Sequence, residues 1–388
     1  MPRLRKTLTL ALCGSAAISL AVPLISLLAV STSFAQTAAQ APSQPQALPA
    51  VLMTANSPNF RDGKVALEER RIRAYTYLGG DENIIRQTVQ RIVRQEGDAY
   101  GGWVYEWSKL GQYYEDRGDV LAKTGPRRAA VDAYMTSGIY YALAWFPRIN
   151  SEEQAKAYDA QLRAYQKGGK LFDVPLEVVK VPFKGGQLTT YLHKPVGVEK
   201  PKFLIWTGGV DQYKANHYRP IHDMLARGFA VATFDMPGFG ESRQFPQVQS
   251  SEPHIAIIEH YMKRPDIDAK HMNVFWQSYG GGAALRTAIL NEPRITAVVG
   301  MCAGIRGSGG NSLVDQGKVG QGKTITTPLL VVNGSRDRGN PPEDMMLLWQ
   351  SAKESDLWIL GLGEHCAVEY WPVVIPHVAQ WLVEKNSN

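Results

Sequence analysis

The stretch Asn273-Val-Phe-Trp-Gln-Ser-Tyr-Gly-Gly-Gly282 decides how the whole chain is interpreted. A short apolar run leads to Ser278, and residues 283–290 continue with the composition of a helix. A strand, a sharp turn with a serine at its tip and a helix form a nucleophile elbow, which holds the serine in a strained conformation with its hydroxyl above the sheet. Gly280 fills the second glycine position of G-x-S-x-G, whereas Trp276 stands at the first. The pattern predicts Ser278 as a nucleophile.

The sequence after Pro175 alternates between short apolar strands and helices. Residues 176–183 and 188–192 alternate like an antiparallel hairpin around Gly185-Gly186. Six further strands are predicted at 203–206, 230–234, 274–276, 297–301, 329–332 and 358–360. Helices are predicted at about 213–227, 253–264, 281–291, 341–352 and 372–385. This alternation predicts an α/β domain over 173–388, with a mostly parallel sheet flanked by helices.

The chain before this domain has helical periodicity from about residue 68 to 171 and is rich in Trp and Tyr. Asp81 and Ser151 stand where helix N-caps are expected. Because no strand-like run interrupts the pattern, residues 59–172 are predicted to form an N-terminal all-helical domain.

The first 35 residues have the pattern of a cleavable signal peptide. A basic start is followed by a long apolar run, and Ser33-Phe-Ala35 has small residues at the positions that signal peptidase reads. An uncleaved membrane anchor is the alternative. Residues 36–58 are rich in Ala, Gln, Pro and Ser, which is typical of a disordered linker. We therefore expect a periplasmic or secreted protein that does not contact the membrane after cleavage.

Charge and composition argue against nucleic-acid binding. The 388-residue chain has 44% hydrophobic and 20% charged residues, as a globular protein does. Its net charge of +6 falls to +3 without Arg3, Arg5 and Lys6 of the leader, and no other stretch concentrates basic residues. The expected partner is a small-molecule substrate.

A serine hydroxyl needs a base to become nucleophilic, and a carboxylate must orient that base. Two of the eight histidines follow Ser278. His365 lies in a loop directly after the last predicted strand, whereas His377 lies within the last helix, so His365 is the predicted base. Asp337 follows an apolar strand and a glycine turn. It is therefore the predicted acid, ahead of Asp315, Glu343 and Asp344, which do not end strands.

Backbone amides should stabilise the oxyanion of the transition state. One is expected from Tyr279, the residue after the nucleophile. The other is expected from the loop after the first parallel strand, where Gly209 is preferred and Val210 remains open.

No cofactor and no metal site are predicted. The Gly-rich tract at 306–310 lacks the residues of a phosphate-binding loop, and histidines and carboxylates do not occur at metal-ligand spacing. Cys302 and Cys366 remain after the leader is removed. They either form a disulfide or are two small buried hydrophobic residues.

With these residues identified, the chain resembles the α/β-hydrolase superfamily over about 176–386. It is similar to the branch that contains the fermentation–respiration switch protein and 2,6-dihydroxypseudooxynicotine hydrolase. The matching runs are 208–214, 235–242, 278–281 and Gly363-Glu-His-Cys366. The resemblance implies an α/β-hydrolase fold under an N-terminal helical cap, and hydrolysis at a carbonyl. It also implies a role for Asp211 in substrate binding; the alternative is that Asp211 is the N-cap of helix 213–227. Finally, the resemblance implies a possible homodimer.

The resulting hypothesis is an exported serine hydrolase that cleaves a carboxylic ester of a small apolar or aromatic substrate. A hydrolase of C–C bonds in β-diketones or ketones would use the same triad. From other classes, a non-catalytic binding protein on a hydrolase scaffold and a structural periplasmic protein remain open.

Overall fold

The computed structural model describes residues 67–94, 99–247, 250–306 and 312–387. The predicted signal peptide and linker lie outside these residues. Within the described ranges, every helix is too short or too polar to traverse a lipid bilayer.

Residues 67–172, called here the helical segment, begin the described part of the chain. The five α-helices are α1 (Glu69–Leu78), α2 (Glu82–Arg91), α3 (Trp103–Thr124), α4 (Arg127–Trp145) and α5 (Glu152–Gly169). The two predicted N-caps are confirmed, because Asp81 Oδ1 accepts from the Ile84 amide at 3.0 Å and Ser151 Oγ accepts from the Gln154 amide at 3.2 Å. The caps therefore set where α2 and α5 begin.

Helix α4 forms the centre of the helical segment and is buried along most of its length. Its rings lie against glycines of α3: a Cβ atom at Gly111 or Gly118 would come within 2.6 Å of Tyr141 or Tyr134, respectively. Trp107 is fully buried and stacks on Tyr140 with ring centres 6.2 Å apart. Many of the aromatic residues therefore pack within the segment itself.

The rest of the chain forms an eight-stranded sheet. Its strands are β1 (Glu177–Phe183), β2 (Gly186–His193), β3 (Lys202–Thr207), β4 (Phe229–Phe234), β5 (Asp268–Gln277), β6 (Ile295–Met301), β7 (Leu329–Gly334) and β8 (Ser355–Leu360). The order is β1-β2-β4-β3-β5-β6-β7-β8. The hairpin β1–β2 is antiparallel and joins β4 antiparallel, whereas β3 to β8 are parallel. The predicted fold is confirmed, and the carboxyl ends of the parallel strands share one edge.

Four helices connect the strands: α6 (Tyr218–Leu225), α7 (Glu252–Tyr261), α8 (Tyr279–Ile289) and α9 (Pro342–Gln350). Helix α10 (Trp371–Lys385) follows the last strand. The prediction of one helix over 213–227 was wrong. The structure has a 3-10 turn at Lys214–Asn216, followed by the separate helix α6. Pro220 explains the break, because in a continuous helix its ring would clash with the carbonyl of residue 216, and it has no N–H to donate to that carbonyl.

A buried ion pair joins the helical segment to the sheet. The ammonium group of Lys214 is fully buried and lies 2.7 Å from Asp235 Oδ2, in the loop after β4. It also donates to the hydroxyl of Tyr158, on α5, at 3.0 Å, and Tyr158 donates to the same Asp235 carboxylate. Helix α5, the 3-10 turn and the loop after β4 therefore meet at the buried ammonium group of Lys214.

Candidate active site

Ser278 lies in a sharp turn between β5 and α8. Its backbone has φ 54° and ψ −120°, a strained conformation for a residue with a side chain. The Ser278 amide donates to Met301 O at 3.0 Å, at the end of β6, and the Gly281 amide donates to Ser278 O at 2.9 Å. The predicted elbow geometry is therefore present, although Trp276 replaces the first glycine.

The indole of Trp276 fits because two neighbouring positions are glycines. Trp276 is fully buried, and a Cβ atom at Gly300 of β6 would lie 2.3 Å from its Cη2 atom. A Cβ atom at Gly281 of α8 would lie 2.5 Å from its Cε3 atom. The space that the elbow glycine usually supplies is thus provided by glycines on the strand and helix that face the indole.

Three predicted side chains form one hydrogen-bonded chain. Ser278 Oγ donates to His365 Nε2 at 2.9 Å, and His365 Nδ1 donates to Asp337 Oδ2 at 2.7 Å. His365 follows β8 and Asp337 follows β7, so all three residues stand at carboxyl ends of strands. His377, the rejected candidate, lies exposed on α10 and donates to Val373 O at 2.8 Å.

The carboxylate of Asp337 is buried but well supplied with donors. Its Oδ1 accepts from the amides of Gly339 and Asn340 at 2.9 and 3.1 Å, and its Oδ2 also accepts from Asn333 Nδ2 at 3.0 Å. Burial raises the pKa of Asp337. The hydrogen bond and charge of His365, together with these donors, lower the pKa by more than burial raises it, so the pKa of Asp337 lies below the ordinary value. Asp337 is therefore ionised at neutral pH and can stabilise an imidazolium.

Asn333 is a site residue that was not predicted from the sequence. Its side-chain Oδ1 accepts a hydrogen bond from the backbone amide of Cys366 at 3.2 Å. The Asn333 side chain therefore contacts both the Asp337 carboxylate and the loop that carries His365. A polar residue near the end of the otherwise apolar strand β7 was the available signal.

Gly209 lies directly against the serine. A Cβ atom at Gly209 would be 3.2 Å from Ser278 Oγ, so a residue other than glycine would crowd the hydroxyl. The Tyr279 amide belongs to the first residue of α8, whose N–H has no acceptor within the helix. Gln277 donates to Gln212 at 2.9 Å and so connects the elbow to the loop that carries Gly209. Both predicted amide donors therefore belong to backbone next to Ser278, and their role remains a prediction.

Asp211 is buried and pairs with a residue that sequence reasoning missed. Its carboxylate forms an ion pair with the guanidinium of Arg71 on α1. The N-cap of the following 3-10 turn is Tyr213, so the alternative role of Asp211 as a helix cap was wrong. A partner 140 positions earlier leaves no local signal in the sequence.

Aromatic and cationic side chains surround this edge of the sheet. The ring of Phe239 lies 5.0 Å from that of Tyr279, and the guanidinium of Arg148 lies 5.2 Å from the centre of Phe239. Tyr213 stacks on Trp145 of α4 with ring centres 4.2 Å apart. Burial raises the pKa of Tyr279, so its phenol is neutral.

Cys302 and Cys366 form a disulfide. The alternative of two unlinked hydrophobic residues was therefore wrong. Cys302 Sγ lies 3.7 Å from His365 Nε2, so that three potential metal-binding atoms are close together. Because the two sulfur atoms are bonded to each other, they are not thiolate ligands in this structure.

Comparisons with known proteins agree with the fold and show a family. A family model described as "Esterase FrsA-like" matches residues 90–308, more than half of the chain. Esterase FrsA of Vibrio vulnificus is 28% identical over 203 residues, and that of Yersinia pestis is 27% identical over 203 residues. Each alignment covers 51% of this chain and 48% of the relative, so the chain spans about half the length of these curated relatives.

Solved structures share the fold over most of the chain. The crystal structure of 2,6-dihydroxy-pseudo-oxynicotine hydrolase has a TM-score of 0.69 and 19% identity, covering 80% of this chain and 95% of its own. AbyA5 has a TM-score of 0.64 and 19% identity, covering 82% and 95%. At this identity the similarity concerns the fold.

Proposed function

The chain belongs to the FrsA-like esterase family, and on this premise we propose that it is an exported serine hydrolase that cleaves a carboxylic ester of a small apolar or aromatic substrate. Membership makes it a hydrolase of the α/β-hydrolase fold. The single observation that carries the finer proposal is the hydrogen-bonded chain from Ser278 through His365 to the buried Asp337.

In the proposed reaction, Ser278 Oγ attacks the ester carbonyl carbon while its proton passes to His365 Nε2. Asp337 holds the Nδ1 proton and stabilises the imidazolium. The amides of Gly209 and Tyr279 donate to the oxyanion; losing one such donor typically costs about 3 kcal/mol of transition-state stabilisation. The Nε2 proton then goes to the leaving alcohol, and an acyl-enzyme remains. Water, deprotonated by His365, releases the acid and restores the serine.

The substrate class is proposed from the surroundings of Ser278. Phe239 and Tyr279 offer ring surfaces, and Arg148 is exposed above Phe239. Helix α1 comes over the same edge through the ion pair between Arg71 and Asp211. A site covered from above by helices suits a small molecule better than a polymer. We propose that the helical segment acts as a cap over the substrate.

Export is proposed from two features. The leader has the signal-peptide pattern given above, and the disulfide between Cys302 and Cys366 fits an oxidising compartment, where such bonds persist.

Labelling with a fluorophosphonate probe, followed by a substrate panel, tests the proposal. Wild type should form an adduct on Ser278 and hydrolyse p-nitrophenyl acyl esters, whereas Ser278→Ala should do neither. His365→Ala should lose at least roughly a thousandfold in kcat, because without its base the serine is a weak nucleophile. His377→Ala, which changes an exposed histidine, is the matched control and should keep wild-type activity.

The same panel separates the rival functions. It includes β-diketones, because a C–C bond hydrolase with this triad would cleave them in preference to the esters. Folded wild-type protein that forms no adduct on Ser278 would contradict the proposal and favour a non-catalytic binding protein.

A further inference from the structure

The disulfide lies against the proposed catalytic base. Cys366 directly follows His365 in the chain, and Cys302 Sγ is 3.7 Å from Nε2, the nitrogen that faces Ser278 Oγ. Both cysteines are buried, their Cα atoms are 4.7 Å apart, and 64 positions separate them in the sequence. The cross-link therefore joins distant parts of the chain at the site.

The Cys302 end of the cross-link is anchored in the sheet. Cys302 directly follows β6, and its amide donates to Val332 O of β7 at 2.8 Å. Its carbonyl accepts from Asn340 Nδ2 at 3.0 Å. The preceding residue, Met301, accepts the hydrogen bond from the Ser278 amide at 3.0 Å. The end of β6 thus holds the serine through one residue and the histidine loop through the next.

The Cys366 end lies in strained backbone. Cys366 has φ 60° and the following Ala367 has φ 45°, which is the left-handed region that residues with side chains avoid. Such conformations persist only where the surroundings enforce them. Here Asn333 Oδ1 accepts from the Cys366 amide, and Trp371 Nε1 donates to the Cys366 carbonyl at 3.1 Å. The disulfide adds a covalent restraint to these two hydrogen bonds.

We propose that the disulfide between Cys302 and Cys366 is a positioning element for His365, keeping Nε2 directed at Ser278 Oγ, and that breaking it lowers turnover. The inference rests on the proposed function. A dithiol reductant would break the S–S bond, giving two thiols while the reductant becomes a disulfide. The Cys302 thiol would then lie next to Nε2 as a competing partner, and the strained turn at Cys366 would lose its covalent restraint.

The double variant Cys302→Ala/Cys366→Ala tests the proposal with p-nitrophenyl esters and the fluorophosphonate probe. The expected result is a fall in kcat and in labelling rate of roughly tenfold or more, because small misplacements of a catalytic group have effects of this size. KM should change less than twofold, since neither cysteine is placed to bind substrate. Activity is assayed well below the melting temperature of the variant.

A stability control separates a misplaced His365 from a general loss of stability. Val378→Ala removes buried side-chain volume from α10, which carries none of Ser278, Asp337 and His365, and should lower the melting temperature with kcat unchanged. If the double variant keeps kcat within twofold of the oxidised wild type, the inference is overturned while the proposed function stands. If the oxidised wild type neither hydrolyses esters nor labels, both fail.

Discussion

The guanidinium of Arg71 forms an ion pair with the carboxylate of Asp211, and this contact ties helix α1 to the loop that carries Gly209. The adjacent residue, Arg70, pairs with Glu364 at 3.0 Å, and Glu364 directly precedes His365. Two consecutive arginines of the helical segment thus contact two loops of the candidate site, one beside the proposed oxyanion donor and one beside the proposed base.

The first prediction concerns Arg71. The Arg71→Ala variant leaves the buried Asp211 carboxylate without its cation, so we expect the free energy of unfolding to fall by about 3 kcal/mol. We also expect kcat for ester hydrolysis to fall roughly tenfold or more, because Asp211 lies in the loop that positions the Gly209 amide. Urea unfolding and steady-state kinetics measure the two effects.

Arg73 provides the matched control on the same helix. It is exposed and pairs with Glu69 at 3.6 Å, away from the site. Arg73→Ala should leave kcat unchanged and stability within about 1 kcal/mol of wild type. Equal effects of the two substitutions on kcat would refute a specific role for Arg71.

The sequence was sufficient to predict what depends on local pattern. The apolar runs marked the strands. Ser278, Asp337 and His365 were predicted because each follows such a run, and the structure joins their side chains by hydrogen bonds, while their catalytic roles remain a prediction. Arg71 and the disulfide act through partners distant in sequence, as does Asn333 where it accepts from the Cys366 amide, and no spacing rule connects those partners. For this reason the sequence did not decide whether Cys302 and Cys366 form a disulfide. Two cysteines can be counted, but the distance between them depends on how β6 and the loop after β8 come together.

A second prediction tests the packing that replaces the missing elbow glycine. Gly300→Ala places a methyl group where the indole of Trp276 now lies. We expect a loss of about 1–3 kcal/mol of stability from overpacking, measured by urea unfolding. Gly361→Ala is the control, because a Cβ atom there has no neighbour within 4 Å.

A suppressor makes the packing test sharper. In the double variant Gly300→Ala/Trp276→Leu, the smaller side chain relieves the overlap with the new methyl group. The destabilisation should then be less than the sum of the two single effects. Strictly additive values would show that the two positions do not compete for this space.

A third prediction concerns the buried charge of Lys214. Lys214→Met leaves the fully buried Asp235 carboxylate unpaired, so we expect a loss of about 3–5 kcal/mol of stability. The double variant Lys214→Met/Asp235→Asn, which removes both charges of this pair, should recover part of the stability that Lys214→Met loses. Lys184→Met breaks an exposed ion pair with Glu252 and should change stability by less than about 1 kcal/mol. Urea denaturation of wild type and the three variants measures these free energies of unfolding. If Lys214→Met loses no more stability than Lys184→Met, the buried ion pair does not have the expected effect.

The last prediction concerns three histidines whose pKa burial lowers to about 3: His193, His217 and His254. They are neutral in the folded protein, whereas in the unfolded chain they take up a proton below about pH 6.5. Between about pH 6.5 and 3 the unfolded state therefore binds more protons, and stability falls as the pH falls through this window. For each histidine, the expected loss between pH 7.5 and pH 5 is about 2 kcal/mol.

His217 is the most direct residue on which to test this effect, because both of its ring nitrogens are buried without a hydrogen-bond partner among the described residues. His217→Phe keeps a ring of similar shape and removes the titrating group, so the loss of stability from pH 7.5 to pH 5 should be smaller than in wild type. His377→Gln, which changes an exposed histidine, should leave that loss unchanged. Urea unfolding at several pH values measures it. An identical pH dependence in His217→Phe and wild type would mean that His217 is already protonated in the folded protein, or that it takes up no extra proton on unfolding.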